Sequence, residues 1–278
     1  MSAELAEFID RHERIFVLTG AGLSTASGIP DYRDERGAWK HSKPMEYRDF
    51  VTRHESRQRY WARSCIGWPR FGRALPNLAH HSLVRLESLG RVAATVTQNV
   101  DGLERRAGSR RVIELHGSLD SVGCLACDAT LTRDIMQRRL LAANPELDRL
   151  SAELAPDGDA RLAGFDTGDM RVPECRACGG ILKPRVVFFG EAVPRARVVA
   201  SFDALRQADA VLVLGSSLMV YSGFRFVREA ARLGLPIAAV NRGITRADDL
   251  LDLKIEQDCG AALDTALIDA GPAQAEIA

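Results

Sequence analysis

The feature that most constrains this chain is a series of short apolar runs, each about five residues long, with helical patterns between many of them. The runs lie at residues 14–19, 91–97, 111–115, 186–189, 210–214, 236–240 and 253–256, and the helical patterns at 81–89, 198–207, 224–233 and 261–270. Continuously apolar strands are buried on both faces, and a parallel sheet covered by crossover helices buries them that way. The fold class that follows is α/β, a doubly wound parallel sheet.

Two stretches break the alternation. Residues 40–75 are rich in Arg and aromatics (Tyr47, Phe50, Tyr60, Trp61, Trp68, Phe71) and read as helical without neighbouring strands. Residues 121–183 hold two cysteine pairs around a helical segment and the turn-rich Pro156-Asp-Gly-Asp159. Both read as insertions that together form a smaller lobe. The expected division is a core domain of residues 1–39, 76–120 and 184–278, a helical insert of 40–75 and a cysteine-bearing insert of 121–183. The tail, residues 272–278, reads as frayed.

Of 278 residues, 46% are hydrophobic and 27% charged, enough apolar material for a sizeable core. Lys plus Arg (37) balances Asp plus Glu (37), so no global field draws the chain to nucleic acid or an anionic membrane. The opening MSAELAEFIDRHERIF is acidic and lacks the apolar stretch of a secretory signal, and no apolar run has the length of a membrane span. A cytoplasmic location is expected. In a reducing compartment the six cysteines are expected to hold metal or lie buried rather than pair as disulfides.

The spacing of four of them is the cleanest chemical signal: Cys124-Leu-Ala-Cys127 and Cys175-Arg-Ala-Cys178. Two residues between cysteines let both thiolates of a knuckle reach one ion. Two knuckles then fill the four positions of a closed zinc site that holds structure and leaves no place for substrate. The competing readings are two redox pairs or a nucleic-acid-binding ribbon. Acidic residues outnumber Lys and Arg within 121–183, which argues against the ribbon.

The first apolar run passes directly into Gly20-Ala-Gly22-Leu-Ser24. Glycines at a strand end let backbone N–H groups approach a pyrophosphate, as in a Rossmann-like dinucleotide site. The third glycine of the dehydrogenase fingerprint is absent, and no acid ends a second strand about twenty residues on, which disfavours hydride transfer. Ser27-Gly-Ile-Pro-Asp-Tyr-Arg33 then joins a rigid turn to a carboxylate, a ring and a guanidinium. Thr97-Gln-Asn-Val-Asp101 ends another strand in amide and carboxylate groups, and His116 follows a further strand.

Taken together and in order, these motifs resemble the sirtuin family, with Lys183-Pro-Arg-Val-Val-Phe-Phe-Gly-Glu191, Gly215-Ser-Ser217 and Val240-Asn241 completing the match. The departures are mild: Tyr32, Val100 and Ser216 stand where Phe, Ile and Thr are commoner. Trp61-Ala-Arg-Ser-Cys-Ile-Gly-Trp68 is similar to the class II branch.

The resemblance implies an NAD-dependent protein lysine deacetylase or deacylase that consumes NAD as co-substrate and releases nicotinamide. It also implies one structural zinc on Cys124, Cys127, Cys175 and Cys178. His116, Asn99 and Asp101 would be the catalytic residues, with His116 the general base. The dinucleotide would meet Gly20, Ala21, Gly22, Ser24, Ile29, Pro30, Asp31, Tyr32 and Arg33. It would also meet Gln98, Asn99, Val100, Asp101, Gly215, Ser216, Ser217, Asn241, Arg242, Gly243 and Cys259. An acyl-lysine peptide would pair its backbone with Val187, Phe188, Phe189, Gly190 and Glu191 on one side and Met219, Val220 and Tyr221 on the other. Tyr60 and Arg63, three apart on one helix face, are expected to read a carboxylate at the end of a longer acyl chain. Protein mono-ADP-ribosylation and long or dicarboxylic-chain deacylation with little plain deacetylation are the alternative activities. The partners expected are acyl-lysine proteins or peptides, with no nucleic acid, no membrane and a monomeric chain.

Overall fold

The computed structural model describes residues 2–40, 44–150 and 167–269. The turn at 156–159 and the tail at 272–278 lie outside the described residues. The strands are β1 (Ile15–Thr19), β2 (Val92–Thr97), β3 (Val112–Glu114), β4 (Gly117–Cys124), β5 (Thr130–Thr132), β6 (Leu182–Val186), β7 (Ala210–Leu214), β8 (Ile237–Val240) and β9 (Leu253–Ile255). The helices are α1 (Ser2–Arg11), α2 (Tyr47–Thr52), α3 (His54–Phe71), α4 (Leu78–Ser88), α5 (Leu103–Ala107), α6 (Arg133–Ala143), α7 (Arg195–Arg206), α8 (Tyr221–Arg232) and α9 (Cys259–Asp269).

Six strands form one sheet in the order β3-β2-β1-β7-β8-β9, and every neighbouring pair is parallel. In β1 the period-2 geometry of a strand divides the side chains between two cores. Ile15 and Val17 pack with Leu5 and Ile9 of α1, Leu83 and Leu86 of α4, and Leu263 and Leu267 of α9. Phe16 and Leu18 pack on the other face with Leu205 of α7 and Phe226, Val227 and Ala230 of α8. All five residues of β1 and all five of β7 are buried, which accounts for the unbroken apolar runs in the sequence.

The smaller lobe is built from α2, α3, α6 and an antiparallel sheet ordered β5-β4-β6. One core gathers Phe50, Tyr60, Trp61, Val122, Met136, Leu140, Leu182 and Phe188. Arg133 is 1% exposed yet satisfied in part: its guanidinium donates to the carbonyl and hydroxyl of Ser64 and stacks 4.8 Å from the Trp68 ring, fastening α6 to α3.

The smaller sheet differs from the sequence reading, which has no strand at 117–124 or 130–132. Residues 186–189 are not a strand of the parallel sheet; the strand is β6, Leu182–Val186, and it pairs antiparallel with β4. The misleading element is Lys183, whose charge disguises a buried strand. It is 5% exposed because its ammonium pairs with Glu191 at 2.9 Å and donates to the Val186 carbonyl. The smaller sheet therefore extends past residue 120 at one end and past 183 at the other.

Candidate active site

β1 and β7 lie side by side, but the chain leaves them toward opposite edges of the sheet, β1 toward β2 and β7 toward β8. At such a switch point the loops diverge and open a crevice beyond the carboxyl ends of the strands. Gly20, Ala21 and Gly22 leave β1 there, and Gly215, Ser216 and Ser217 leave β7. The two loops touch backbone to backbone: a Cβ on Gly215, whose φ is +61°, would come within 2.3 Å of the Leu23 nitrogen. Only glycine tolerates that approach and that conformation.

The crevice is a cavity of about 490 Å³ whose wall includes most of the residues singled out in the sequence. From the dinucleotide set it contains Gly20, Ala21, Gly22, Asp31, Tyr32, Arg33, Gln98, Asn99, Val100, Gly215, Ser216, Ser217, Asn241 and Arg242. From the peptide set it contains Val187, Phe188, Phe189, Gly190, Glu191, Met219, Val220 and Tyr221, and His116 stands among them.

His116 is held at both nitrogens. Nδ1 lies 2.8 Å from the Gln98 carbonyl oxygen, an acceptor, so Nδ1 carries the proton and donates. Nε2 is left as the basic nitrogen and lies 2.8 Å from the Ser222 hydroxyl. Burial pushes the imidazole below its ordinary 6.5. Arg225 and Arg197 push the same way, and the bond to Gln98 opposes them. A neutral imidazole facing the cavity through Nε2 is equipped to take a proton from a bound hydroxyl.

Asp101 lies behind the wall, not in it. It is 7% exposed and accepts hydrogen bonds from the Ser24 hydroxyl and the Leu103 backbone N–H, each at 2.8 Å. Ser24 Oγ in turn accepts from the Asn99 amide at 3.2 Å, and that amide also donates to the Gly20 carbonyl at 3.0 Å. The order Asp101, Ser24, Asn99 orients the Asn99 amide at the cavity wall. Burial, then the neighbouring Glu104 carboxylate, raises Asp101 well above the ordinary carboxylate range. Glu104 is 1% exposed and is held by the hydroxyls of Thr19 and Thr97.

Several expected contacts are not brought to the cavity wall. Ile29 is buried in the smaller core, Pro30 and Gly243 are next in sequence to wall residues without being part of the wall, and Ser24 sits behind Asn99. Cys259 is buried beneath β8, where its thiol donates to the Val240 carbonyl and burial pushes it up to about 12. Tyr60 is 2% exposed, with its ring 5.4 Å from Phe50 and 5.2 Å from Phe188. Neither Tyr60 nor Arg63 lines the cavity. Helical spacing placed the pair on one face, but the Tyr60 ring packs inward on aromatics while Arg63 is half-buried.

Trp39, Ser222 and Arg225 are among the lining residues that had no separate signal in the sequence. Trp39 carries the Arg33 guanidinium 3.9 Å over its ring and stands 5.7 Å from Phe189. Ser222 and Arg225 are at the start of α8, and their nearness to Gly215-Ser-Ser217 was the available clue.

The four cysteine sulfurs of the knuckles all lie within 4.8 Å of one another, with Cys124 to Cys178 and Cys127 to Cys175 each at 3.6 Å. Zinc–sulfur bonds of ~2.3 Å in a tetrahedron put sulfurs about 3.8 Å apart, so the set fits one zinc ion with no open position. Gly180 makes room for them: a Cβ there would be 2.9 Å from the Cys124 sulfur.

Comparison with known proteins agrees with this geometry. A family model described as "Sir2 family" matches residues 20–222. A Bradyrhizobium diazoefficiens protein named NAD-dependent protein deacetylase 2 is 59% identical over 259 residues, 93% of this chain and 95% of the relative. A Streptomyces coelicolor protein, NAD-dependent protein deacetylase 1, is 51% identical over 90% of this chain and 84% of the relative. Among solved structures, Sir2 with a p53 peptide and NAD+ superposes with a TM-score of 0.77 at 30% identity, covering 98% of this chain and 99% of the other. A Sir2 variant with deacetylated p53 peptide and 3′-O-acetyl-ADP-ribose gives a TM-score of 0.78 at 30% identity, covering 96% and 97%.

Proposed function

The chain belongs to the Sir2 family, and on that premise we propose what its cavity does: it is an NAD-dependent protein lysine deacetylase that moves the acetyl group from lysine to ADP-ribose and releases nicotinamide. NAD, when bound, supplies the electrophilic ribose and the leaving group. The close-packed glycines of the β1 and β7 loops, whose own N–H groups donate to the Leu214, Gly215 and Val240 carbonyls, form the wall where a pyrophosphate would lie, and Arg33 adds a cation beside it. Asn99, oriented through Ser24 and Asp101, would hold the carboxamide end. The acetyl-lysine peptide would add as a strand between residues 187–191 and 219–221.

The observation that carries the reading is the His116 imidazole, neutral, tautomerically fixed by Gln98 and facing the cavity through Nε2. A module that only sensed the nucleotide has no use for such a base. His116 would take the proton of a ribose hydroxyl at Nε2, with Ser222 yielding its place to that hydroxyl. The zinc on Cys124, Cys127, Cys175 and Cys178 would hold the smaller lobe together at a distance from this chemistry.

The relatives named above are deacetylases, so the alternatives of mono-ADP-ribosylation and carboxylated-acyl removal are not favoured. Protein or peptide substrates follow from the same reading. We propose a monomer that does not act on nucleic acid, supported by a net charge of zero. Among the described residues no helix is long and apolar enough to cross a membrane. A cytoplasmic location is proposed because a reducing compartment keeps the four thiolates free for zinc.

The test is incubation with NAD and an acetyl-lysine peptide. Nicotinamide, deacetylated peptide and O-acetyl-ADP-ribose should form in equal amounts. Labelled protein with acetyl peptide unchanged would overturn the assignment.

A further inference from the structure

Tyr221, the first residue of α8, lines the cavity and is still 45% exposed, so its ring forms part of the outer rim. Arginines gather on that ring. The guanidinium carbons of Arg228, Arg225 and Arg246 lie 5.2, 5.9 and 5.9 Å from its centroid, and Arg246 also lies 4.6 Å from the ring of Phe224. Aromatic faces hold such groups by cation–π attraction while leaving the N–H edges available for carboxylates.

Those edges have no carboxylate in direct contact among the described residues; Glu229 feels Arg228 but is bonded to Arg232. The acids nearby in the chain are already engaged: Glu229 is held by Arg232 at 2.7 Å, and Asp248 by Lys254 at 2.8 Å and the Thr245 hydroxyl at 2.6 Å. The chain as a whole carries no net charge, so this is a local surplus of positive charge at the rim. It adjoins the peptide groove directly, since Arg246 reaches the Met219 carbonyl at 3.5 Å and Met219 is one wall of that groove.

We infer that the preferred substrates carry acidic side chains flanking the acetyl-lysine, received by Arg228 and Arg246 at the α8 rim. The inference rests on the deacetylase reading of the same cavity. Backbone pairing along the groove is indifferent to sequence, so a charged rim is where selection among peptides enters. Exposed pairs are weak, so each acid adds about two- to five-fold at low salt.

The experiment compares peptides with one acetyl-lysine flanked by alanines, by aspartates and glutamates, or by lysines and arginines. Each is assayed for kcat/KM at low and high salt, in the wild-type chain and in Arg228→Glu, Arg246→Glu and the double Gln variant. The expected result is acidic over neutral over basic, expressed in KM. The ratio should shrink at high salt, fall toward one in the Gln variant and reverse in the Glu variants. Each variant's own neutral peptide serves as its reference. Neutral and acidic peptides turned over alike, or a ratio unmoved by the Arg substitutions, would overturn the inference and leave the deacetylase reading standing. No turnover of any peptide with NAD would overturn the reading and the inference with it.

Discussion

The Nε2 of His116 and the hydroxyl of Ser222 lie 2.8 Å apart across the cavity wall. The hydroxyl occupies the partner position that a substrate hydroxyl needs, so the base is kept hydrogen-bonded until substrate replaces it. Because burial keeps the imidazole neutral, the base form persists to lower pH than in a free histidine. The acid limb of kcat/KM for deacetylation is expected below pH 6.5. His116→Ala should lower turnover about 100-fold or more while NAD still binds. A limb at or above pH 6.5, or turnover within a few-fold of wild type, contradicts the assignment.

Asp101→Asn separates activity from stability. In the folded chain burial and Glu104 raise the Asp101 carboxyl, so its ionised form costs stability at neutral pH, and the cost fades as the pH falls toward the unfolded value of 3.8. An amide in its place carries no charge, so the thermal midpoint at pH 8 should match or exceed the wild type. The amide also supplies one acceptor oxygen where the carboxylate supplies two, and Ser24 and Leu103 both need one. Orientation of Asn99 should suffer, and kcat should fall about ten-fold or more, the effect of about one lost charge-assisted hydrogen bond. A strongly destabilised but fully active variant would refute this account.

His80 titrates in the opposite sense. It is buried in α4, its Nδ1 accepts from the Asn77 backbone N–H in a capping box, and burial pushes it down to about 4. The unfolded chain takes up its proton near 6.5, so stability is lost as the pH falls from 6.5 to about 4, by roughly 3 kcal/mol from this group. His80→Gln keeps a capping side chain at the same helix position. Denaturant unfolding from pH 7 to pH 4.5 should show a shallower decline in that variant. Equal slopes would remove His80 as the cause.

Metal analysis should find about one zinc per chain. Cys175→Ser or a strong chelator should lower the melting temperature and the soluble yield, because a closed tetrahedral site contributes folding energy. Folded, active protein without metal would be inconsistent with the four sulfurs acting as one site.

Much of this was present in the linear sequence, because local physics specified it. Unbroken apolar runs at 15–19 and 210–214 mean strands buried on both faces, and they are the central strands β1 and β7. Cysteines two residues apart can meet at one ion whatever surrounds them, and the four do converge. Gly20 and Gly22 mark a strand end where backbone must come close, and the Gly215 loop is what comes close. The tertiary structure decided what depends on partners distant in sequence. Lys183 is readable as a buried strand residue only once Glu191 is seen beside it, since a lone ammonium would not be buried. Helical spacing put Tyr60 and Arg63 on one face but could not say which way that face turned; Phe50 and Phe188 decided it for the Tyr60 ring. Ser222 reaches His116, and Arg246 joins Arg228 over Tyr221, only because the sheet brings separate loops to the carboxyl ends of its strands.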